Sequence, residues 1–453
     1  MISPRRAALA LTMTAVLNVS IGEKIMAQEP AESLSSIAAG EVIKLLVAEK
    51  FAAVAARFDA TMAQALSVAK LAETWHGVVA QAGAFKRQTG ATARAVQGRE
   101  TVVVATEFEG AALDFTITFD AAQHIAGLFI SPHKNAPTAP PPYANATQYH
   151  EREVVVGSGK WALPGTLTLP AASQLVPGIV LVHGSGPNDR DETVGANAPF
   201  RDLALGLASR GIAVLRYEKR SRTHGAELVA LGAALTVREE TIDDAVLAAE
   251  LLRHTPGVDP RRVFVLGHSL GGMLAPRIAR ADSAIAGLII LAGTTRPLED
   301  VIVEQLDYLK SLSPEIPESP AIAQMREAAA RVKALTPADS ASTTAILGAP
   351  VRYWLDLRGY APAESARAIR RPILVLQGER DYQVTMVDFA NWKAALGSRS
   401  DVTFRSYADL NHLFVTGQGR STPAEYQQAG HVSQEVVTDI AAWTLRQAGL
   451  RMP

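Results

Sequence analysis

Residues 263–273 read VFVLGHSLGGM, a run of apolar residues that leads into three glycines around a single serine. The apolar run predicts a short buried strand. Glycine loses more conformational entropy on folding than any other residue, so glycines on both sides of Ser269 indicate a backbone that a Cβ atom would obstruct. The stretch therefore predicts a sharp turn at the end of a buried strand.

Residues 267–271, GHSLG, have the G-x-S-x-G pattern of a nucleophile elbow, a tight turn between a strand and a helix. Glycines at both flanks let the strand and the helix come close, and Gly272 lets the helix approach the sheet. Glycine-rich turns also occur in α/β folds without any catalytic role. The strand before the turn and the helix-prone LGGMLAPRIAR after it favour Ser269 as a nucleophile, with a helix N-terminus that stabilises negative charge.

A serine hydroxyl needs a general base, and the base needs a carboxylate that orients it. On a strand-to-helix elbow the expected chain order is serine, acid, histidine. Only His412 and His431 follow Ser269. His412 lies in a loop after the strand DVTFRSY and is the predicted base, whereas His431 opens the last helix, where a polar residue is expected at the surface.

The acid is expected after the preceding strand, ILVLQGERD, which offers Glu379 and Asp381. The spacing of three residues from Gly378 favours Asp381. Asp388, one turn into the following helix, and Asp409, close to the histidine in sequence, are weaker candidates. The alternative for each of them is a solvated carboxylate in a loop.

An oxyanion hole needs two donors that point at the developing negative charge. The elbow supplies the amide of Leu270. The second donor is expected from the loop HGSGPNDRD after an earlier strand, where we select the amide of Ser185, with Gly184 as the alternative. We expect His183, at the start of this loop, to brace it rather than to act as a second base.

Outward from the elbow, residues 148–453 alternate apolar strands with helical stretches, which predicts a mostly parallel sheet with helices on both faces. The stretch 297–369 is far longer than a crossover helix requires and is helix-prone, so we expect a helical cap insertion over the C-terminal edge of the sheet. Tyr353, Trp354, Leu355 and Tyr360 of this insertion line a pocket or belong to its core.

The first part of the chain has a different pattern. Residues 33–131 start with an alanine-rich helical region that extends to about residue 86, followed by three strands, which predicts a small α+β domain. Proline and small polar residues at 132–147 predict an extended linker. We expect no chemistry of its own from the small domain, which leaves shielding of the active site, dimerisation or tethering open.

The N-terminus reads MISPRRAALALTMTAVLNV, in which Arg5 and Arg6 precede an apolar run that is too short to span a bilayer. The pattern predicts a signal peptide, residues 1–27, with cleavage after Ala27, and a periplasmic or secreted mature protein. An ordinary first helix and an uncleaved anchor are the alternatives. After cleavage, no stable insertion in a membrane is expected.

Composition excludes several classes of function. The formal net charge of −1 over 453 residues gives no electrostatic basis for binding nucleic acid. The absence of cysteine excludes thiolate chemistry, and the ten histidines lack metal-ligand spacing. We therefore expect no metal and no cofactor. The oligomeric state is open, and a homo-oligomer is compatible with the sequence.

Residues 150 to 450 resemble the α/β-hydrolase superfamily, because HGSGPNDRDET, RGIAVLRYEKRS, GHSLGGM, GERD and NHLF follow one another in the expected order. The group that they resemble is that of bacterial carboxylesterases near dienelactone hydrolases, with serine in place of the cysteine nucleophile. Residues 35 to 131 resemble a small domain of unknown function that precedes such hydrolases. The resemblance implies Ser269, Asp381 and His412 as a catalytic triad and Leu270 with Ser185 as the oxyanion hole.

The function that these observations predict is hydrolysis of a small-molecule carboxylic ester, with a short acyl group, through an acyl-enzyme. A serine peptidase or amidase and an acyltransferase on the same fold are the alternatives, because a fold does not determine the reaction. A binding protein that keeps the fold without catalysis is disfavoured, since all three triad members are present.

Overall fold

The computed structural model describes residues 34–96, 99–109, 111–132, 139–312, 314–315, 317–318, 320–342 and 344–451. The predicted signal peptide, residues 1–27, lies outside the described residues, as does the part 133–138 of the predicted linker. The chain divides into two compact units, Met1–Ser131 and Pro132–Pro453. Each unit has its own hydrophobic core.

The first unit places helices before a four-stranded sheet, in which β2 is antiparallel to both of its neighbours. Its helices are α1 (Leu34–Val47), α2 (Phe51–Ala55), α3 (Ala60–Ala65) and α4 (Val68–Ala82), and its strands are β1 (Phe85–Val96), β2 (Arg99–Phe108), β3 (Ala112–Phe119) and β4 (Ile125–Pro132). The strands follow one another in the sheet in chain order. Alternate side chains of β2 and β3 are buried in a core with α1 and α4, which explains the period of two in their sequences.

The sequence prediction of three strands in this unit was wrong, because β1 was missed. In FKRQTGATARAV apolar and polar residues alternate only in the second half, where the apolar ones are mostly alanines, which are poor strand formers. The helical region that was extended to about residue 86 ends with α4 at Ala82. Strand β1 lies at the edge of the sheet and pairs with β2 through two register shifts. The strand conformation of β1 therefore depends on its pairing with β2, and the sequence of β1 alone does not reveal this pairing.

The second unit alternates strands with helices. Its strands are β5 (Tyr149–Val156), β6 (Leu163–Pro170), β7 (Val176–Val182), β8 (Ala213–Tyr217), β9 (Val258–His268), β10 (Leu288–Leu291), β11 (Ala345–Ile346), β12 (Ala349–Pro350), β13 (Ile373–Gly378) and β14 (Val402–Tyr407). Its α-helices are α5 (Pro199–Ala208), α6 (Arg220–Thr223), α7 (Gly225–Val229), α8 (Asp243–Arg253), α9 (Leu270–Ala281), α10 (Leu298–Leu312), α11 (Pro320–Ala334), α12 (Val351–Leu357), α13 (Pro362–Arg367), α14 (Met386–Leu396) and α15 (Gln434–Gln447). Short 3₁₀ turns lie at Gly159–Trp161, Gly232–Ala234, Pro337–Ala341 and Pro423–Gln427, and a π-helical turn lies at Arg238–Ile242.

The large sheet has the strand order β14-β13-β10-β9-β7-β8-β6-β5. Strand β6 is antiparallel to both of its neighbours, and every other neighbouring pair is parallel. The mostly parallel sheet predicted from the apolar strands is therefore confirmed. Its parallel strands end at one edge, and chain segments that follow those ends meet there.

Both faces of this sheet are covered. In β7, for example, Val180 and Val182 pack into the core formed with α8, α9 and α14, whereas Ile179 and Leu181 pack into the core formed with α5 and α15. Because each face is buried, the strand lacks the alternation of a half-exposed strand and reads as a continuous apolar run. The predicted helices on both faces are thus confirmed.

The long insertion between β10 and β13 contains α10 to α13 and the β11–β12 hairpin. In the part of the chain that the structure describes, no helix combines the length and the apolar character needed to cross a bilayer.

Candidate active site

Ser269 occupies a single residue between the end of β9 and the start of α9. Its φ of 53° and ψ of −115° are unusual for a residue with a side chain, and this is the strained turn that the glycines permit. A Cβ atom at Gly267 would overlap the carbonyl of Gly271, and one at Gly271 would overlap the carbonyl of Val182. The side chain of Ser269 remains partly exposed, so a substrate can reach it.

His412 and Asp381 lie together in the loops that follow β14 and β13. Nδ1 of His412 is 2.6 Å from Oδ2 of Asp381, and both side chains are buried. A carboxylate only accepts hydrogen bonds, so this contact places a proton on Nδ1 and leaves Nε2 of the neutral ring as an acceptor. This is the tautomer that a general base requires.

The Asp381 carboxylate is fixed by more than the histidine. Oδ1 accepts hydrogen bonds from the amides of Gln383 at 2.8 Å and Val384 at 3.0 Å, and Oδ2 also accepts one from the side chain of Gln377 at 3.1 Å. These donors hold the carboxylate in one orientation and stabilise its charge in a buried position.

The structure separates Asp381 from the other acidic candidates. Glu379 is exposed and accepts a hydrogen bond from Ser406, and Asp409 is exposed as well. Asp388 is fully buried, but its carboxylate is paired with Arg296. Asp381 is the one of the four for which the structure gives a contact with His412.

The alternative histidine, His431, has a different partner. Its Nδ1 lies 3.1 Å from Asp202, whose carboxylate also accepts a hydrogen bond from the amide of Val432. Asp202 belongs to α5 and Val432 precedes α15, so this contact ties two helices on one face of the sheet.

The loop after β7 passes next to the serine. A Cβ atom at Gly184 would lie 3.1 Å from Cβ and 3.6 Å from Oγ of Ser269. The amide of Gly184 already donates a hydrogen bond to Oε1 of Glu192 at 2.5 Å. Among the hydrogen bonds of the described residues, none has the amide of Ser185 as its donor. This favours Ser185 over Gly184 as the donor to an oxyanion.

The other predicted donor, the amide of Leu270, belongs to the first residue of α9. The first amides of an α-helix have no carbonyl partner within the helix, and they carry the positive end of its dipole. The amide of Leu270 therefore remains available beside Ser269.

His183 is a brace, as the sequence suggests. Its ring is buried against Phe200 and Tyr217, and Nε2 donates to the carbonyl of Asp189 at 3.0 Å. Burial lowers the pKa of His183 to about 4, so the ring stays neutral at physiological pH.

Sequence reasoning missed a buried ion pair beneath the site, Glu192 with His268. Oε2 of Glu192 lies 2.9 Å from Nδ1 of His268, and Nε2 of His268 is 3.0 Å from the carbonyl oxygen of His412. Burial alone would lower the pKa of His268, but the facing carboxylate outweighs it and raises the pKa above its ordinary value. Burial would raise the pKa of Glu192, and the positive charge of His268 holds it below the usual range instead.

This pair links three segments of the candidate site. Glu192 accepts a hydrogen bond from the amide of Gly184, His268 is the elbow residue before Ser269, and the His268 ring lies 3.0 Å from the carbonyl oxygen of His412. The only signal for it in the sequence is that His268 directly precedes Ser269 and that Glu192 directly follows the loop HGSGPNDRD. Their pairing depends on the sheet, which places β7 beside β9.

The aromatic residues considered for a pocket belong mainly to the core of the insertion. Tyr353 and Trp354 are buried, and the Trp354 ring nitrogen donates to the carbonyl of Ile346. The hydroxyl of Tyr360 donates to the carbonyl of Met273 in α9. These contacts fasten the insertion to itself and to the helix behind the serine.

A different part of the insertion reaches the loops of the site. The ring of Tyr308 in α10 stacks on Tyr382, the neighbour of Asp381, with the ring centroids 4.9 Å apart. The side chain of Gln305 donates to the carbonyl of Gln383 at 2.9 Å. Leu413, the neighbour of His412, belongs to the same apolar cluster as Tyr382. Helix α10 is therefore attached to the segments that carry the acid and the histidine.

Among the described residues, no group of three or more His, Cys, Asp or Glu side chains is arranged to hold a metal ion.

Comparison with protein families gives two matches. Residues 179–435 match the model of the alpha/beta hydrolase family, and residues 39–128 match the model of a family described as a protein of unknown function, DUF3887. A curated relative, Esterase EstD of Thermotoga maritima, is 37% identical over 381 residues, which are 84% of this chain and 88% of that protein.

Solved structures give weaker likenesses. A hyperthermophilic esterase from the archaeon Pyrobaculum calidifontis is 16% identical, with a TM-score of 0.42, over 66% of this chain and 86% of that one. A puromycin-hydrolysing peptidase of Mycobacterium tuberculosis is 15% identical, with a TM-score of 0.47, over 79% of this chain and 54% of that one. The chain spans about half the length of the puromycin-hydrolysing proteins that it matches.

Proposed function

Because the chain belongs to the α/β-hydrolase family, we propose that it is an esterase that cleaves small-molecule carboxylic esters through an acyl-enzyme on Ser269. The observation that carries the proposal is the contact of His412 with Asp381, in loops at the same sheet edge as the elbow of Ser269. The 37% sequence identity with Esterase EstD, over 84% of this chain and 88% of that protein, supports an ester as the substrate.

In the first half of the proposed reaction, Nε2 of His412 takes the hydroxyl proton of Ser269 while Oγ attacks the ester carbonyl carbon. The carbonyl π-electrons move to the oxygen, and the amides of Leu270 and Ser185 donate to this oxyanion. The tetrahedral intermediate then collapses, the bond to the alkoxy oxygen breaks, and the His412 imidazolium protonates the departing alcohol. The acyl group remains on Ser269.

In the second half, water replaces the alcohol. His412 removes a proton from the water, the resulting hydroxide adds to the acyl carbon, and a second oxyanion forms in the same place. The bond to Oγ breaks and Ser269 recovers its proton from His412, which releases the carboxylic acid. Asp381 stays ionised throughout and stabilises the imidazolium, while the amides of Gln383 and Val384 keep its carboxylate in place.

The proposal is tested by incubating purified full-length protein with matched panels of esters, amides and lactones, with the Ser269→Ala variant as background. We expect turnover of esters that the variant lacks, and only weak turnover of the corresponding amides. Preference for amides over esters of the same acyl group would instead favour a peptidase or amidase. Transfer of the acyl group to an added alcohol in preference to water would favour an acyltransferase.

We also propose a preference for short acyl groups. Helix α10 is fastened to the loops of the site by the stacked rings of Tyr308 and Tyr382 and by the bond of Gln305 to the backbone. An attached cap limits the space above Ser269, whereas a lid that swings open would admit long chains. Each CH₂ that still fits contributes up to about 0.8 kcal/mol to binding, and carbons beyond the end of the pocket contribute nothing or clash.

A series of p-nitrophenyl esters from acetate to palmitate measures this preference. We expect kcat/KM to be highest for acyl chains of a few carbons and to fall for longer ones. We also expect no increase in rate when the substrate concentration passes the point at which micelles form. A kcat/KM that is still rising at about ten carbons would contradict the attached cap.

The location of the protein is a further proposal, which depends on the sequence alone. Arg5, Arg6 and the apolar run after them are typical of a signal peptide, so we expect the mature chain to begin near Gln28 and to reside in the periplasm or outside the cell. N-terminal sequencing of the native protein measures this. An intact Met1 on protein from the cytoplasmic fraction would rule the proposal out.

A further inference from the structure

The carbonyl of Gly184 accepts a hydrogen bond from a buried cation. Nζ of Lys219, which follows β8, lies 2.8 Å from this oxygen, and only 2% of the residue is exposed. Asn188 donates a second, longer bond of 3.2 Å to the same oxygen. Charged donors form the stronger hydrogen bonds, so Lys219 is the main partner of this carbonyl.

Lys219 is itself held in place. Its Nζ lies 2.9 Å from Oε1 of Glu240, and the hydroxyl of Tyr353 donates to Oε2 of Glu240 at 2.9 Å. Glu240 lies in the π-helical turn Arg238–Ile242, and single π turns inside helices are frequent near functional sites. Burial would raise the pKa of Glu240, but Lys219 and these hydrogen bonds outweigh it and keep the carboxyl ionised.

The position of this cation matters because of the geometry of one peptide group. The carbonyl of Gly184 and the amide of Ser185 belong to the same planar trans peptide, so the C=O and N–H bonds point in opposite directions. A bond that fixes the carbonyl therefore fixes the direction of the Ser185 amide. A positive charge at the oxygen also draws electron density through the peptide, which makes the N–H a better donor.

We propose that Lys219 is a positioning residue for ester hydrolysis, which orients and polarises the Gly184–Ser185 peptide so that the Ser185 amide can donate to the oxyanion. The proposal rests on the proposed function. It adds a residue that touches neither the substrate nor Ser269 and that acts through a backbone carbonyl.

A buried ion pair is weak evidence for a role in stability. Replacement of a buried ion pair by apolar side chains of similar size is often neutral or stabilising, because two charges no longer have to lose their water. The next residue, Arg220, forms a comparable buried pair with Asp244, and the structure gives it no bond to the loop at Gly184. This neighbouring pair supplies a matched control.

The test compares two double variants of the full-length protein, Lys219→Met/Glu240→Leu and Arg220→Met/Asp244→Leu. Each removes one buried ion pair without leaving an unpaired charge. We expect the first to lower kcat by about 10- to 100-fold with little change in KM, since loss of a whole oxyanion donor costs about 100- to 1000-fold. We expect the second to leave kcat within about twofold of the wild type, because no oxyanion donor is lost.

A second measurement distinguishes positioning from stability. A trifluoromethyl ketone adds to the serine and places an oxyanion in the hole, so its affinity should fall in the Lys219 variant by the same factor as kcat. The affinity of the corresponding alcohol, which forms no oxyanion, should stay constant. If circular dichroism shows that the double variant is not folded, Lys219→Gln is measured instead, because it keeps an uncharged donor. The ratio of its affinity for the ketone to its affinity for the alcohol then decides the question.

Equal losses of kcat in the two double variants, or a raised KM with kcat unchanged in the Lys219 variant, would overturn the inference. Neither result would contradict the proposed function, which depends on the loss of activity in Ser269→Ala. Persistence of activity in Ser269→Ala would remove the proposed function whatever Lys219 does.

Discussion

Replacement of Ser269 by alanine is expected to lower kcat for esters by about 10⁵- to 10⁶-fold while KM changes little, because the variant loses the atom that forms the covalent intermediate. Replacement of His412 by alanine should cost about as much, since a serine hydroxyl without its base is a weak nucleophile. The double variant should be little worse than either single one, because the two residues act on the same proton transfer and their effects do not add.

The measurement is steady-state hydrolysis of a short-chain p-nitrophenyl ester, combined with labelling by an organophosphate and mapping of the modified peptide. We expect one label, on Ser269, and none in the Ser269→Ala variant. His431→Ala is the matched control, because His431 is the other histidine after the serine in the chain and is paired with Asp202 instead. A label on another serine, or a loss in His431→Ala that equals the loss in His412→Ala, would contradict the assignment of nucleophile or base.

The elbow could be predicted from the sequence because a local constraint determines it. Gly267 and Gly271 are required where a Cβ would meet backbone atoms, and this requirement is visible in five consecutive residues. The large sheet was predictable for a similar reason, since strands buried on both faces read as continuous apolar runs. The placement of Asp381 and His412 in loops after the last two strands followed from chain order, and their catalytic roles stay predictions.

Contacts between distant polar residues could not be predicted in the same way. Glu192 meets His268 only because β7 and β9 are neighbours in the sheet, and Lys219 meets Glu240 only because a loop after β8 faces the turn before α8. Glu and Lys side chains lie mostly at protein surfaces, so the sequence gives no sign that Glu192, Lys219 and Glu240 are buried. Burial distinguishes them, and burial is a property of the assembled fold.

The choice between Ser185 and Gly184 shows the same limit. Both amides belong to the same loop, and the sequence offered no decisive argument between them. The structure adds that the Gly184 amide is engaged by Glu192 and that the Gly184 carbonyl is engaged by Lys219. The bond to Glu192 supports the amide of Ser185 over that of Gly184 as the proposed oxyanion donor.

Replacement of Asp381 by asparagine is expected to lower kcat by about 10⁴-fold. The asparagine keeps the size of the side chain, and its oxygen can still accept from the amides of Gln383 and Val384, so the fold should be retained. The group that faces Nδ1 of His412, however, would become an NH₂ donor. The ring would then carry its proton on Nε2, and this nitrogen could no longer take the proton of Ser269.

Two variants of neighbouring carboxylates make the measurement specific. Glu379→Gln changes a carboxylate two residues earlier that is exposed and bonded to Ser406, so kcat should stay within a few-fold of the wild type. Asp388→Asn weakens the buried pair with Arg296, so its main effect should be a lower melting temperature, with a smaller effect on kcat. If Glu379→Gln were more damaging to kcat than Asp381→Asn, the acid would be misassigned, and the 2.6 Å contact of Asp381 with His412 would have to be structural. Since Asp381 alone among these three carboxylates contacts the ring of His412, we expect it alone to control which ring nitrogen is free to accept the proton.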